Sequence, residues 1–172
     1  NNACSPDFVY IIILSGILKM NKERNFSVKF WGVRGSIPSP GSKFIKYGGN
    51  TPCVEVRCGE TIIILDAGTG LRELGDSMLK EFSGRNVELH MLISHTHWDH
   101  IQGFPFFKMA YLPGTTINFY GGHSVSALEK PIFGQMEREY FPVSLNELKS
   151  TLRFNALTKS PFRINDVTIH FT

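Results

Sequence analysis

Four consecutive aliphatic residues, Ile62-Ile63-Ile64-Leu65, restrict the fold more than any other feature of the chain. A strand places successive side chains on opposite faces. A run with no polar position therefore needs cover on both faces, as in the inner strands of layered α/β proteins. The next thirty residues agree with that. Asp66-Ala67-Gly68-Thr69-Gly70 is a turn, and Leu71, Leu74, Met78 and Phe82 then recur at helical spacing until Ser83-Gly84. Val87 to Ser94 (VELHMLIS) reads as a second apolar strand. Strand, helix, strand with buried strands predicts an α/β class.

The rest of the chain fits the same plan. Ser27 to Val33 alternates Val28 and Phe30 with polar positions and reads as a strand. A Gly/Pro/Ser loop covers 35–41, and 47–52 is a turn. Cys53 to Arg57 and Thr61 to Leu65 form a hairpin about Gly59. Trp98 to Met109 includes a short helix interrupted at Pro105, and Thr115 to Tyr120 is a strand. Ser124 to Met136 is helical in pattern, with a break expected at Pro131. Thr151 to Leu157 and Val167 to Phe171 read as two late strands. No internal repeat or low-complexity tract is present.

The chain's 172 residues are the size of one domain, and at 42% hydrophobic they can bury a substantial core. A formal net charge of +3 suits an anionic substrate, but no dense Lys/Arg patch of the kind that grips a nucleic-acid backbone is present. Cys4, Cys53 and Cys58 are odd in number and lack zinc-knuckle or C-x-x-C spacing, which points to reduced thiols and a cytoplasmic setting. Phe8 to Leu18 is apolar but only 11 residues long, too short to span a membrane. No basic residue precedes it, and Met20 opens a polar run into the first strand. Residues 1–19 are therefore expected to be a non-native or upstream extension, with 20–172 as the domain, and no membrane association is expected.

Directly after the Val87–Ser94 strand comes His95-Thr96-His97-Trp98-Asp99-His100. Three imidazoles and a carboxylate within six positions are hard to account for as packing, because burying them without partners costs desolvation energy. They also sit at the carboxyl end of a strand, where α/β sheets gather ligands. Imidazole and carboxylate suit divalent zinc, and also manganese or iron. A tight loop can turn His95 and His97 to one side and Asp99 and His100 to a neighbouring point, so the four could serve two ions. Two ions close together can activate a water and clamp the oxygen of an attacked phosphoryl or carbonyl group. Asp66 ends the neighbouring apolar strand; on its own it is as readily a turn residue as a functional one. His90, His123 and His170 read as structural or surface residues.

The His95-x-His97-x-Asp99-His100 pattern resembles the signature of the metallo-β-lactamase fold superfamily of metal-dependent hydrolases. Phe30-Trp31-Gly32-Val33-Arg34-Gly35-Ser36 and Tyr47-Gly48-Gly49-Asn50-Thr51 look like the opening of its branch related to ribonuclease Z and phosphodiesterase-like members. The resemblance runs from about residue 28 to the end of the sequence. It implies an αββα sandwich with two divalent metal ions at the seam between its sheets. By the same resemblance His95 and His97 bind the first ion, and Asp99 and His100 the second. Asp99 also orients or deprotonates the water, and Asp66 supports the metal loop without ligating. The family's site further uses a third histidine on the first ion, a bridging aspartate and a late histidine. None of these matches His90, His123 or His170, so the resemblance implies a partial domain whose C-terminal part lies beyond residue 172. Such a half leaves an apolar sheet face uncovered, which a homodimer could also bury.

The function expected from these readings is water-activating hydrolysis of a phosphodiester, of nucleic-acid or cyclic-nucleotide type. A lactone, thioester or β-lactam-like carbonyl substrate is the alternative within hydrolases. A metal-binding fragment without activity is the alternative outside them.

Overall fold

The computed structural model describes residues 13–15 and 26–171. Its strands are β1 (Ile13–Ser15), β2 (Phe26–Gly32), β3 (Cys53–Cys58), β4 (Thr61–Leu65), β5 (Val87–Leu92), β6 (Thr115–Tyr120), β7 (Thr151–Asn155), β8 (Phe162–Ile164) and β9 (Val167–His170). Its helices are α1 (Gly70–Glu81), α2 (Trp98–Ile101) and α3 (Val125–Gly134), with single 3-10 turns at Phe104–Phe106 and Lys108–Tyr111 among the connections. Most of residues 1–19 lies outside the described residues, so the expected extension is visible only as β1, whose Ile13 lies opposite His170.

Strands β2 to β7 form one sheet in sequence order. The pairs β2–β3 and β3–β4 are antiparallel, and β4 through β7 run parallel. The change has its cause in the connections: β3 and β4 are joined by a turn at Gly59, whereas the parallel strands need longer crossovers. The second sheet has the order β1-β9-β8 and is antiparallel.

The unbroken apolar run of β4 is covered on both sides, as its sequence requires. Ile62 and Ile64 join Leu89, Met91, Ile117 and Phe119 on one face, against Leu71, Leu74 and Met78 of α1 and Leu128 and Ile132 of α3. Ile63 joins Val56 and Leu92 on the other face, against Ile164, Val167 and Ile169 of the small sheet. Three layers are thus in place: helices, the six-stranded sheet and the three-stranded sheet. Each fully buried aliphatic side chain contributes roughly 1.5–3 kcal/mol. A buried carboxylate ties the helix layer to the sheet edge. Glu55 accepts from Trp31 Nε1 at 2.9 Å and pairs with Arg57, whose guanidinium also takes both oxygens of Glu81 at the end of α1.

The structure overturns one expectation, the break at Pro131, and adds detail to others. Strand β2 does form, but its register slips between Phe30 and Gly32, which turns Trp31 toward the helix layer. Phe26, Val28 and Phe30 lie on the face shared with Val56, beyond the reach of the small sheet, and Phe30 is 66% exposed. Pro131 does not break its helix: α3 runs through it to Gly134. Proline removes one hydrogen bond but its φ is helical, and Leu128 and Ile132 are anchored in the core on either side of it. Ser124 caps this helix, its Oγ accepting from Ala127 N at 3.2 Å. The short β8 has no clear signal in the sequence, because only three residues separate Pro161 from the turn at Asn165 (φ 52°).

Candidate metal centre

The parallel pairing of β4 with β5 builds the site. Leu65 lies opposite Leu92, so the residues leaving the two strands, Asp66 on one and Ile93-Ser94 on the other, emerge side by side. Asp66 N donates to Leu92 O at 2.9 Å, and the chain then turns with Asp66 in the left-handed region at φ 61°. Aspartate tolerates that conformation better than most residues. Two backbone bonds lock the turn to the histidine loop: Ala67 N donates to His100 O and Gly103 N to Ala67 O, both at 2.8 Å. The approach is too close for a side chain. A Cβ on Gly68 would sit 2.5 Å from Asp99 O, and one on Gly103 would sit 1.9 Å from Gly68 O.

From that platform the Asp66 carboxylate reaches under the loop. Its Oδ1 accepts from Ser94 N and from Ser94 Oγ, each at 2.8 Å, and its Oδ2 lies 2.8 Å from His100 Nδ1. Ser94 Oγ is also 3.1 Å from His95 Nδ1 and 3.3 Å from His100 Nδ1. One carboxylate and one hydroxyl therefore occupy the Nδ1 side of two histidines. Each ring is left to use Nε2, and His100 Nε2 lies 3.5 Å from Asp99 Oδ2. Asp99 Oδ2 also accepts from Ser36 N at 2.9 Å, which fastens the loop after β2 to the site. His97 is the N-terminal cap residue of α2 and is exposed; its backbone O accepts from His100 N at 2.9 Å, and its ring lies 4.6 Å from the His95 ring. The His95 and His100 rings are 4.0 Å apart.

This crowding sets the electrostatics. Burial lowers the affinity of His95 for a proton, and the neighbouring His100 and His97 lower it further. Burial acts in the same direction on His100. There it is outweighed by the hydrogen bond to Asp66 and by the charges of Asp66 and Asp99, so its pKa is raised.

The structure thus brings together all five residues picked out by the sequence: His95, His97, Asp99, His100 and Asp66. Among the described residues, no three His, Cys, Asp or Glu side chains form a group that could hold a metal ion. The other histidines lie on other elements. His90 is buried in β5 with its Nδ1 3.2 Å from Tyr120 Oη, His123 precedes α3, and His170 ends β9. Ser94 and Ser36 are the contributors that sequence reading missed. The only trace of Ser94 was its place between an apolar strand and a histidine, and Ser36 contributes a backbone N–H that no side chain signals.

No protein-family model and no curated protein sequence matches the chain. Solved structures do resemble it. The short form of human tRNase Z aligns over 78% of this chain and 47% of its own, with 22% identity and a TM-score of 0.48. A diphosphatase of the PhnP family aligns over 86% of this chain and 62% of its own, with 12% identity and a TM-score of 0.51. A Thermotoga maritima protein provisionally assigned as a metallo-β-lactamase aligns over 80% and 62%, with 19% identity and a TM-score of 0.40. The chain spans 47% to 62% of the length of these structures. At such identities the likeness concerns the fold alone. Among the described residues, no helix is long and apolar enough to cross a membrane.

Proposed function

We propose that the chain, which shares its fold with a diphosphatase of the PhnP family, is the site-bearing part of a metal-dependent phosphodiester hydrolase of the metallo-β-lactamase fold. The observation that carries the proposal is the hydrogen bonding of Asp66 and Ser94 to the Nδ1 atoms of His100 and His95. A ligating imidazole characteristically gives its second nitrogen to a carboxylate or another polar group, which sets its tautomer and raises its basicity. Packing does not account for such an arrangement at the exposed end of a sheet.

The donor set fits divalent ions such as zinc, manganese or iron. Neutral imidazole is the ligating form, and at His95 burial and the neighbouring rings favour it. In this reading His95 and His97 hold one ion and His100 and Asp99 a second, with further ligands supplied from outside these four residues. Bound there, divalent ions would lower the pKa of a water and offset charge on the phosphoryl oxygen under attack. In this reading Asp99, whose Oδ2 accepts from Ser36 N, would orient a water and take its proton. Asp66 stays beneath the loop and keeps His100 aimed.

The phosphodiester is preferred over a carbonyl substrate on the mild positive charge and on analogy with the diphosphatase of the same fold. Residues 20–172 then belong to a single hydrolase domain, and the activity is a property of the whole protein. The test is hydrolysis of bis(p-nitrophenyl) phosphate by the protein with divalent ions present. Turnover is expected, abolished by chelator and reduced more than about 100-fold in His97→Ala. Equal turnover with chelator or in His97→Ala would overturn the proposal.

A further inference from the structure

A cavity of about 650 Å³ opens directly beside the histidine loop, within the range of small-molecule sites. Its wall includes Trp98, Gln102, Phe106, Gln135 and Tyr140. Trp98 is the residue between His97 and Asp99, so the cavity adjoins the proposed metal centre along the backbone itself. Trp98 is 71% exposed and Tyr140 75% exposed, an unusual state for two large rings facing one hollow. Phe106, also half-exposed, is braced edge-on by Phe141 at 5.2 Å.

The walls are held in place. Gln135 Nε2 donates to Ile101 O at 3.0 Å, and Gln102 Nε2 lies 3.5 Å from Thr51 Oγ1. The segment carrying Tyr140 is a run of hydrogen-bonded turns, in which Glu137 N donates to Gly134 O and both Tyr140 N and Phe141 N donate to Glu137 O. Glu139 adds a carboxylate to the rim. Among the described residues no Lys or Arg lines the cavity, so a phosphate has nothing there to pair with. Aromatic faces stack on any base, while glutamine amides and a carboxylate match the donors and acceptors of a base edge.

We propose that this cavity is a nucleobase subsite, which stacks a base on Trp98 and Tyr140 while the adjoining phosphodiester lies at the histidine loop. This deepens the phosphodiesterase reading and rests on it: recognition of the base falls to Trp98 and Tyr140 beside the histidine loop.

The experiment is a titration of the protein, with divalent ions present, by AMP and separately by ribose 5-phosphate, following indole fluorescence. AMP is expected to quench saturably and ribose 5-phosphate is not. Trp98→Phe should abolish the quench, since the other indole, Trp31, is hydrogen-bonded to Glu55 and does not line this cavity. Tyr140→Ala should weaken AMP about tenfold, the scale of one lost stacking contact. Phe106→Ala, at a second half-exposed ring, should weaken it in the same direction. No quench by AMP, equal quench by ribose 5-phosphate, or unchanged AMP affinity in both Tyr140→Ala and Phe106→Ala would overturn the subsite. So would a quench that tracks protein concentration without ligand, which would assign the cavity to self-association. The hydrolase reading is judged separately, by turnover of bis(p-nitrophenyl) phosphate, so either idea can fail alone.

Discussion

His97 and His100 stand three positions apart in one loop, yet they are held in opposite ways. His100 is half-buried, its Nδ1 lies 2.8 Å from an Asp66 oxygen, and Asp66 in turn is bonded twice to Ser94. The His97 side chain is exposed and packs edge-on against the His95 ring, while its backbone O accepts from His100 N. The difference teaches what each part of the chain supplies. The β4 turn delivers a carboxylate that fixes one imidazole before any ligand arrives. The imidazole at the start of α2 depends on whatever it binds for its orientation.

The largest expected effect addresses this contrast directly. Both His97→Ala and His100→Ala should lower divalent metal content by about one ion per chain, read by mass spectrometry of the metals. Full retention in either would break the equivalence of the two as ligands. Next comes the support. Asp66→Asn keeps a residue that tolerates φ 61° but removes the charge beneath His100. Metal affinity should fall about 10- to 100-fold, as for other carboxylates behind ligating histidines. An unchanged affinity by calorimetry would reduce Asp66 to a turn residue.

The metal-free protein sharpens the comparison further. His100→Ala strands the buried side of Asp66 and should cost about 1–3 kcal/mol in chemical denaturation. His97→Ala removes an exposed ring and should stay within about 0.5 kcal/mol. Equal costs would mean that the two histidines are held alike. The smallest effect concerns His90, which serves as a control away from the loop. Burial lowers its pKa, against the opposing charge of Glu88. The unfolded chain therefore binds this proton more readily than the folded one. Stability from this group is full above the unfolded value of about 6.5 and is lost as pH falls below it. His90→Gln should flatten that part of the profile of melting temperature against pH.

The contrast also marks how far sequence reading reaches. His95, His97, Asp99 and His100 stand out in the sequence because four ligand-type side chains fall within six positions. Asp66 was legible as a strand end, but its role depends on β4 and β5 being parallel neighbours in register. The contribution of Ser94 spans 28 residues and that of Ser36 spans 63, through a hydroxyl and a backbone N–H that occur in any loop. In the fold, the apolar run of β4 announced two covered faces, and two covered faces are found. Alternation in β2 predicted a strand but not its exposure. Period alone does not say whether a neighbouring layer extends far enough to cover Phe26, Val28 and Phe30. Pro131 shows the converse, a local signal overridden by the core contacts of Leu128 and Ile132.

In the proposed function, the loop from His95 to His100 holds divalent ions with Asp66 behind it. Crystals of the protein grown with zinc and measured on both sides of the zinc absorption edge test it most directly. Anomalous peaks are expected within coordination distance of the Nε2 atoms of His95, His97 and His100, with the Asp66 carboxylate still on His100 Nδ1. Anomalous peaks elsewhere with none at this loop, or Asp66 itself ligating the metal, would contradict it.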